Sequence, residues 1–226
     1  MGLPVLSLYC GEQGMSLDEA QLRSFERYID RLYELNVARR LTSVPKEQCE
    51  VRHLVDSLLV AQFLTQGASV LDVGTGSGFP AWPLATARPD LSLTALDSSG
   101  KMLRVLKELA PRNLQVIQSR AEKFERREAF DFATGRAVAP LAIQLEVSAP
   151  FVKVGGAVIP FRTPAEQSAL PDAPCKTLGL ELESVEMRQL PGTDVTRMFP
   201  VFRKLKETDP QYPRTWANIR RAPLTG

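Results

Sequence analysis

Cysteine is scarce in this 226-residue chain. Cys10, Cys49 and Cys175 are odd in number and widely spaced, which fits neither a disulfide framework nor a zinc cluster. No metal is expected. Long apolar runs are absent as well, none approaching the roughly 20 residues a helix needs to cross a bilayer. The N-terminus lacks a basic start followed by an apolar stretch and a small-residue cleavage site. A cytoplasmic protein that engages no membrane is the expectation. Histidine occurs once, at His53, and neither an internal repeat nor a low-complexity tract is found. Net charge is only +2, which alone excludes nothing about nucleic acid. What is left is ordinary globular usage, 44% hydrophobic and 24% charged, in a length that suits one compact unit.

The charge is sorted rather than scattered. Lys101 to Arg127 carries eight basic residues against three acidic, Arg197 to Gly226 seven against two, and Pro164 to Thr196 two against six. Such blocks are either solvated surface or the footprint of a polyanion.

Ser16-Leu17-Asp18-Glu19 has the form of a capping box, and Leu22, Phe25, Ile29 and Leu32 recur at helical spacing to about residue 35. After Pro45, a second helical pattern puts Val51, Leu54, Val55, Leu58 and Leu59 on one face. Arg52, His53, Asp56 and Ser57 lie on its flank, before Gly67 ends it. From Ser69 onward short apolar strands alternate with helical segments. The spacing predicts strands near 69–73, 91–96, 114–118, 130–134 and 155–161, with helices near 80–87, 99–110 and 138–150. That alternation implies a parallel sheet. Beyond Pro174 the runs LGLELESVEMRQL and RMFPVFRKL are separated by Pro191-Gly192 with no helix between them, and should pair antiparallel. The expected fold is α/β and Rossmann-like: a helical extension over 1–66, then a mostly parallel seven-stranded sheet with an antiparallel C-terminal hairpin over 67–207. The tail 208–226, TDPQYPRTWANIRRAPLTG, reads as a basic, Pro-containing extended arm.

Leu71 to Pro80 reads LDVGTGSGFP. In open α/β sheets the ligand sits at the carboxyl ends of the strands, so this first strand-to-helix turn is the place to look. A dinucleotide fingerprint fails in both registers, because the sixth position is Phe79 from Gly74 and Ala81 from Gly76. A triphosphate loop needs a lysine, and none occurs between Lys46 and Lys101. There remain Asp72 at the strand end, glycines that bare the backbone, and Pro80 at a helix start. An acid beside the loop favours a ligand carrying positive charge, of which S-adenosylmethionine is one. The next strand ends Leu96-Asp97-Ser98-Ser99, placing a carboxylate 19 residues after Gly78 where ribose hydroxyls would lie. The competing reading is that each aspartate only caps the helix after it.

These residues resemble the class I methyltransferases, and more narrowly the ribosomal RNA small subunit methyltransferase G family, also called glucose-inhibited division protein B. The resemblance runs from about Asn36 to Pro223. It is carried by Val51-Arg52-His53 with Asp56-Ser57-Leu58, LDVGTGSGFP with Pro83-Leu84, and Leu96-Asp97-Ser98 with Gly100-Lys101. Further matches are Ser119-Arg120-Ala121-Glu122, Phe130-Asp131, the block from Gly135 to Leu141, Gly155-Gly156, and Tyr212-Pro213-Arg214 with Pro223-Leu224. The resemblance implies methyl transfer from S-adenosylmethionine to N7 of a guanosine in the decoding region of 16S rRNA. It implies a methionine-side pocket at Gly74, Gly76, Gly78 and Phe79, and a ribose site at Asp97 and Ser98, beside Ser99. An adenine site at Ala121 and Glu122 is implied too, with Arg136 next to the donor. Arg136 suits either the donor's carboxylate or the incoming nucleotide. The partner is then 16S rRNA or the small ribosomal subunit, and a monomer is expected.

Guanine N7 has an in-plane lone pair and no proton to remove, so positioning should dominate. Arg136, His53 and Arg162 are the candidate catalytic residues, His53 more as a hydrogen-bonding wall than as a proton carrier. Cys175, in an acidic stretch after the fifth strand, reads as an ordinary cysteine and not as a nucleophile. Two departures from the family touch this region: Arg40-Leu41-Thr42 replaces an Asn-Leu-Thr, with Asn36 retained upstream, and Phe161-Arg162-Thr163 replaces a Met-Lys-Gly. Lys101, Arg104, Lys107, Arg203, Lys204 and Arg214 are expected to contact phosphates at the mouth. Methylation of a small molecule or a protein on the same fold is one rival. A non-catalytic RNA-binding assembly protein is the other, and the intact Asp72, Asp97 and glycines speak against it.

Overall fold

The structure is a computed structural model that describes residues 2–226. Two helices lead in, α1 (Pro4–Glu12) and α2 (Glu19–Arg39). Helix α1 was not foreseen; it starts on a proline and has no side-chain cap. The box that opens α2 lies two residues beyond Ser16. Asp18 accepts from the Gln21 amide at 2.7 Å and the Gln21 side chain accepts from the Asp18 amide at 2.8 Å. An Asp-x-x-Gln pair thus satisfies the same two orphan amides as the Ser-x-x-Glu form.

The segment after Pro45 is not a plain α-helix. A π-helical turn, Glu50–Val55, passes into α3 (Asp56–Leu58). Such wide turns recur at functional sites, and this one carries His53, Asp56 and Ser57 into the interior, all buried rather than on a flank.

Strands β1 (Ser69–Val73), β2 (Ser92–Asp97), β3 (Leu114–Gln118), β4 (Phe130–Arg136) and β5 (Val152–Phe161) run parallel. Strands β6 (Leu180–Gln189) and β7 (Thr196–Lys204) pair antiparallel, and the order among the described residues is β3-β2-β1-β4-β5-β7-β6. The chain winds outward from β1 in one direction and from β4 in the other. That reversal opens a crevice at their carboxyl ends.

Alternation along β1 divides the core into two layers. Val70 packs in the layer that holds Phe25, Leu54 and Trp82, whereas Leu71 packs in the layer of Leu145, Phe151 and Ile219. Helices α4 (Ala81–Ala87) and α5 (Arg104–Leu109) join the first layer; α6 (Leu141–Glu146) joins the second. Helix α7 (Cys175–Leu178) begins at Cys175, whose thiol burial pushes up in pKa. That is the direction opposite to an activated nucleophile.

The tail is not a fully extended arm. It contains α8 (Trp216–Arg221), with Ile219 completely buried in the second layer. Prolines at 210, 213 and 223 leave room between them for one short helix.

The glycine loop follows β1, with Gly74, Gly76 and Gly78 at φ 71°, 58° and 95°. At Gly78 a Cβ would collide with Tyr28 Oη and with Leu106 Cδ1, while Tyr28 donates to the Ser77 carbonyl at 2.6 Å. Helix α2 therefore clamps the loop from behind. Gly78→Ala is expected to cost about 2 kcal/mol or more, from backbone strain and the displaced tyrosine. A denaturant melt measures it; an unchanged midpoint would contradict the clamp.

Candidate active site

At the carboxyl ends of β1, β2 and β3 lies a cleft of about 300 Å³. Gly74 forms its floor, since its amide and that of Thr75 bond to the Leu96 carbonyl at 2.8 and 3.1 Å. This ties the loop to β2. Asp97 and Ser98 line the middle, and the Ser119–Glu122 turn lines the end beyond β3. The Asp97 carboxylate accepts from the Gly76 amide at 2.8 Å and from the Ser99 amide at 2.7 Å. One carboxylate thus holds both loops while facing the cleft. The donor set fits a ribosylated sulfonium: Asp97 for the hydroxyls, Leu96, Val138 and Val147 as apolar wall, and two carboxylates, Asp97 and Glu122, against one lining cation, Arg120, which stands 3.7 Å from Glu122.

A second cavity, about 720 Å³, adjoins the first. Ala137 and Val138 line both. Ala137 takes φ 55°, a left-handed conformation that turns the chain sharply between the two spaces. Arg52, Arg136, Arg162 and Arg197 line this cavity against a single lining acid, Glu166. It is a place for an anionic substrate.

Asp56 organises those cations from below. Its side chain is fully buried and accepts from Arg136 Nη1 at 2.7 Å and from Arg197 Nε and Nη2 at 2.7 and 2.9 Å. Arg136 also donates to the Arg52 carbonyl at 3.1 Å and meets His53 Nδ1 at 3.0 Å. A guanidinium only donates, so Nδ1 is the acceptor and the imidazole proton sits on Nε2. That nitrogen lies 2.7 Å from Thr42 Oγ1, which is held by Asn36: the Asn36 Oδ1 accepts from the Leu41 and Thr42 amides at 2.5 and 2.9 Å. Below the histidine, Phe79 stacks in parallel with ring centroids 4.2 Å apart. The retained Asn36 thus does its work through Thr42, and Arg40 serves as the left-handed cap of α2.

His53 has no free nitrogen for proton transfer. Burial, then the neighbouring Arg136 charge, pulls its pKa from 6.5 down to about 3, with Asp56 opposing. Because the unfolded imidazole binds a proton below pH 6.5 and the folded one does not until about pH 3, its share of stability is full above 6.5. It is lost as pH falls through that window. As the chain has one histidine, the imidazole nitrogen resonances read it directly. They should report the neutral Nε2–H form without titration from pH 8 to 5; a midpoint near 6.5 would contradict the network.

Several expected site residues lie elsewhere. Asp72 is fully buried and its carboxylate accepts from the Ala81 amide at 3.0 Å, capping α4. Burial pushes its pKa up to about 7; its bond to the Ala81 amide and its absence from the cleft lining fit the capping reading. Gly78 and Phe79 support the loop from beneath, and Gly76 and Ser99 act through their amides on Asp97, so Gly74 is the loop glycine that lines the cleft. Arg136 faces the second cavity and not the cleft, as does Arg162. Arg162 donates to the Ala139 carbonyl at 2.9 Å, to Glu166 at 3.0 Å and to Gln144, while its Nε is buried without a partner among the described residues. Burial lowers its pKa.

Of the expected phosphate contacts, Lys101, Arg104 and Lys107 are exposed, on and before α5, and do not line the cleft; Arg104 pairs with Glu108 at 2.8 Å and Lys107 donates to Gln118 at 3.0 Å. Lys204 is not: it is fully buried, its Nζ donating to the Ala149 carbonyl at 2.7 Å and to Thr208, and burial pulls its pKa down to about 8. Arg214 pins the tail, bonding through Nε and Nη2 at 2.8 and 2.7 Å to the fully buried Glu146. Arg203 pairs with Glu183 at the wrong end of the sheet. The reason is strand direction. Because β7 runs antiparallel, its first residues lie at the site and its last ones about 20 Å away. Arg197, which charge counting did not single out, is the β7 cation that reaches the cavity. Trp216 was likewise missed, and it lines the cleft.

Residues 21–193 match the family model described as rRNA small subunit methyltransferase G. Among curated relatives, "Ribosomal RNA small subunit methyltransferase G" of Carboxydothermus hydrogenoformans is 37% identical over 97% of this chain and 98% of the relative. That of Leuconostoc citreum is 36% identical over 94% and 95%. Among solved structures, M. jannaschii TYW2 in complex with AdoMet has a TM-score of 0.55 at 16% identity, over 66% of this chain and 75% of that one, a likeness of fold. The two-cavity crevice, the glycine loop with its Asp97 partner, and near full-length identity above one third together mean that this chain belongs to the rRNA small subunit methyltransferase G family.

Proposed function

We propose that the chain transfers the methyl group of S-adenosylmethionine to N7 of a guanosine in the decoding region of 16S rRNA. We take it to act as a monomer in the cytoplasm, on the rRNA or the small ribosomal subunit. One observation carries the reading: an acid-lined cleft and an arginine-lined cavity share the Ala137–Val138 wall. When bound in the first, S-adenosylmethionine supplies an electrophilic methyl. Gly74, Asp97, Ser98, Ala121 and Glu122 hold that donor. Arg136, Arg162 and Arg197, with Arg52 at the mouth, receive the nucleotide and its phosphates.

Guanine N7 needs no base, and the doubly engaged His53 offers none. Its part is to fix Arg136, and Asp56 fixes Arg136 and Arg197 together. What the protein contributes is placement: two reactants brought into direct contact at the Ala137–Val138 edge that both spaces share, in line for displacement. Lys101, Arg104 and Lys107 extend the positive surface for flanking RNA. No helix among the described residues is long and apolar enough to cross a membrane.

The test is incubation of small subunits from a strain lacking the activity with the protein and methyl-labelled S-adenosylmethionine. Label at one decoding-region guanosine that becomes cleavable by reduction and aniline is the expected result. Label on an exocyclic amine or a cytosine, or none at all, would contradict it.

A further inference from the structure

The end of the cleft beyond β3 has an aromatic wall supplied by the tail. Trp216 opens α8 and lines the cleft with the Ser119–Glu122 turn, and the Arg120 guanidinium stands over its ring, 5.9 Å from the centroid. No step of the transfer described above uses this residue. It is not carried on a loose strap. Arg214, just ahead of the helix, bonds to the buried Glu146 through both its side chain and its amide, and its Nη2 donates to the Ala222 carbonyl at 3.0 Å beyond the helix. Ile219 is sunk in the second core layer. Arg127 Nη2 donates to the Thr208 carbonyl at 2.8 Å. A half-buried indole is thereby fixed where the strand order puts the far end of the ligand, away from Gly74.

We propose that Trp216 is an adenine-contacting residue of the donor site, so that the C-terminal helix completes the cofactor pocket. The inference rests on the assignment of this cleft to S-adenosylmethionine. Adenine is flat and presents a π-face; among the described residues lining the cleft, Trp216 is the aromatic side chain able to meet it. The other lining groups at that end, Ala121 and Glu122, are suited to the edge of the base instead.

The chain has two tryptophans. Trp82 is buried, with Nε1 donating to the Leu109 carbonyl at 2.7 Å, and lies outside the cleft. Fluorescence of the full chain thus isolates Trp216 by comparison with W216F. S-Adenosylhomocysteine should quench the wild type and leave W216F unquenched; 5′-methylthioadenosine should do the same, and homocysteine should not. By calorimetry W216F keeps the affinity within about threefold, whereas W216A loses about tenfold, as expected for one base–aromatic contact. Wild-type affinity in W216A, or quenching that persists in W216F, overturns the contact. Equal loss in both variants with a lowered melting temperature also overturns it, since the indole would then only anchor α8. No heat from S-adenosylhomocysteine with the wild type overturns the donor site itself.

Discussion

Asp56→Ala is expected to abolish RNA methylation while leaving the donor cleft able to bind. Asp56 is fully buried beneath two arginines that are 15% and 24% exposed, so its loss strands two half-buried guanidiniums facing each other. Breaking a buried pair from one side costs about 3–5 kcal/mol. Arg136 and Arg197 would separate, and the cavity would lose its shape. We expect the melt to show that loss of stability, and kcat/KM for RNA to fall at least about a hundredfold at a temperature where the variant stays folded. Asp56→Asn should fold better, because it keeps acceptor capacity, and still lose about tenfold because the charge is gone. Calorimetry with S-adenosylhomocysteine should give near wild-type affinity in Asp56→Asn, as Asp56 does not line the cleft. A variant that methylates normally, or that loses donor binding in preference to RNA turnover, would show that the cation cluster is not the substrate side.

Asp97→Ala is the second large effect, with the opposite signature. Its carboxylate accepts two backbone amides, from Gly76 and Ser99, and hydrogen bonds to a charged group contribute about 1.5–3 kcal/mol each. Removing it releases the Gly76 end of the glycine loop, leaving only the Gly74 and Thr75 amides on the Leu96 carbonyl to hold the loop to β2, and deletes the acceptor facing the cleft. Donor affinity should fall at least about a hundredfold. RNA binding measured without the donor should hardly change, because the arginine cavity stands on other residues. Unaltered affinity for S-adenosylhomocysteine in Asp97→Ala would sink the assignment of the cleft.

The strands were legible because period-two apolar runs bounded by turn residues carry over directly into a sheet. β1 and β3 lie where the pattern put them, and β5 begins three residues early. The glycine loop was legible for a different reason: a strand end, three glycines and a proline leave few backbone paths. What the loop residues do was harder to read. Asp72 and Asp97 look alike in sequence, each an acid at a strand end. In the fold Asp72 turns under the loop to cap α4, whereas Asp97 faces out between two loops. That difference is one of side-chain direction, which spacing does not encode.

Charge counting failed for a related reason. Lys204 and Arg214 sit in a basic block, yet one is buried against main-chain oxygen and the other is paired with Glu146. The antiparallel course of β7 was itself an expectation of the sequence, and applied to the block it would have separated Arg197 from Arg203. Asp56 and His53 stood out as a motif, but an α-helical wheel left them on a flank. The π-helical turn that buries them has no signature in the residue pattern. Trp216 was hidden by its neighbours, since prolines on both sides argue for extended chain.

The central claim is that donor and target base meet directly at the Ala137–Val138 edge common to the cleft and the arginine cavity. A crystal structure of the protein with S-adenosylhomocysteine and a short guanosine-containing RNA tests it most directly. The expected result is sulfur beside Ala137 and Val138, ribose hydroxyls on Asp97, and a guanine in the arginine cavity with N7 turned toward the sulfur. Product bound in the arginine cavity, or a guanine whose exocyclic amine points at the sulfur, would contradict it.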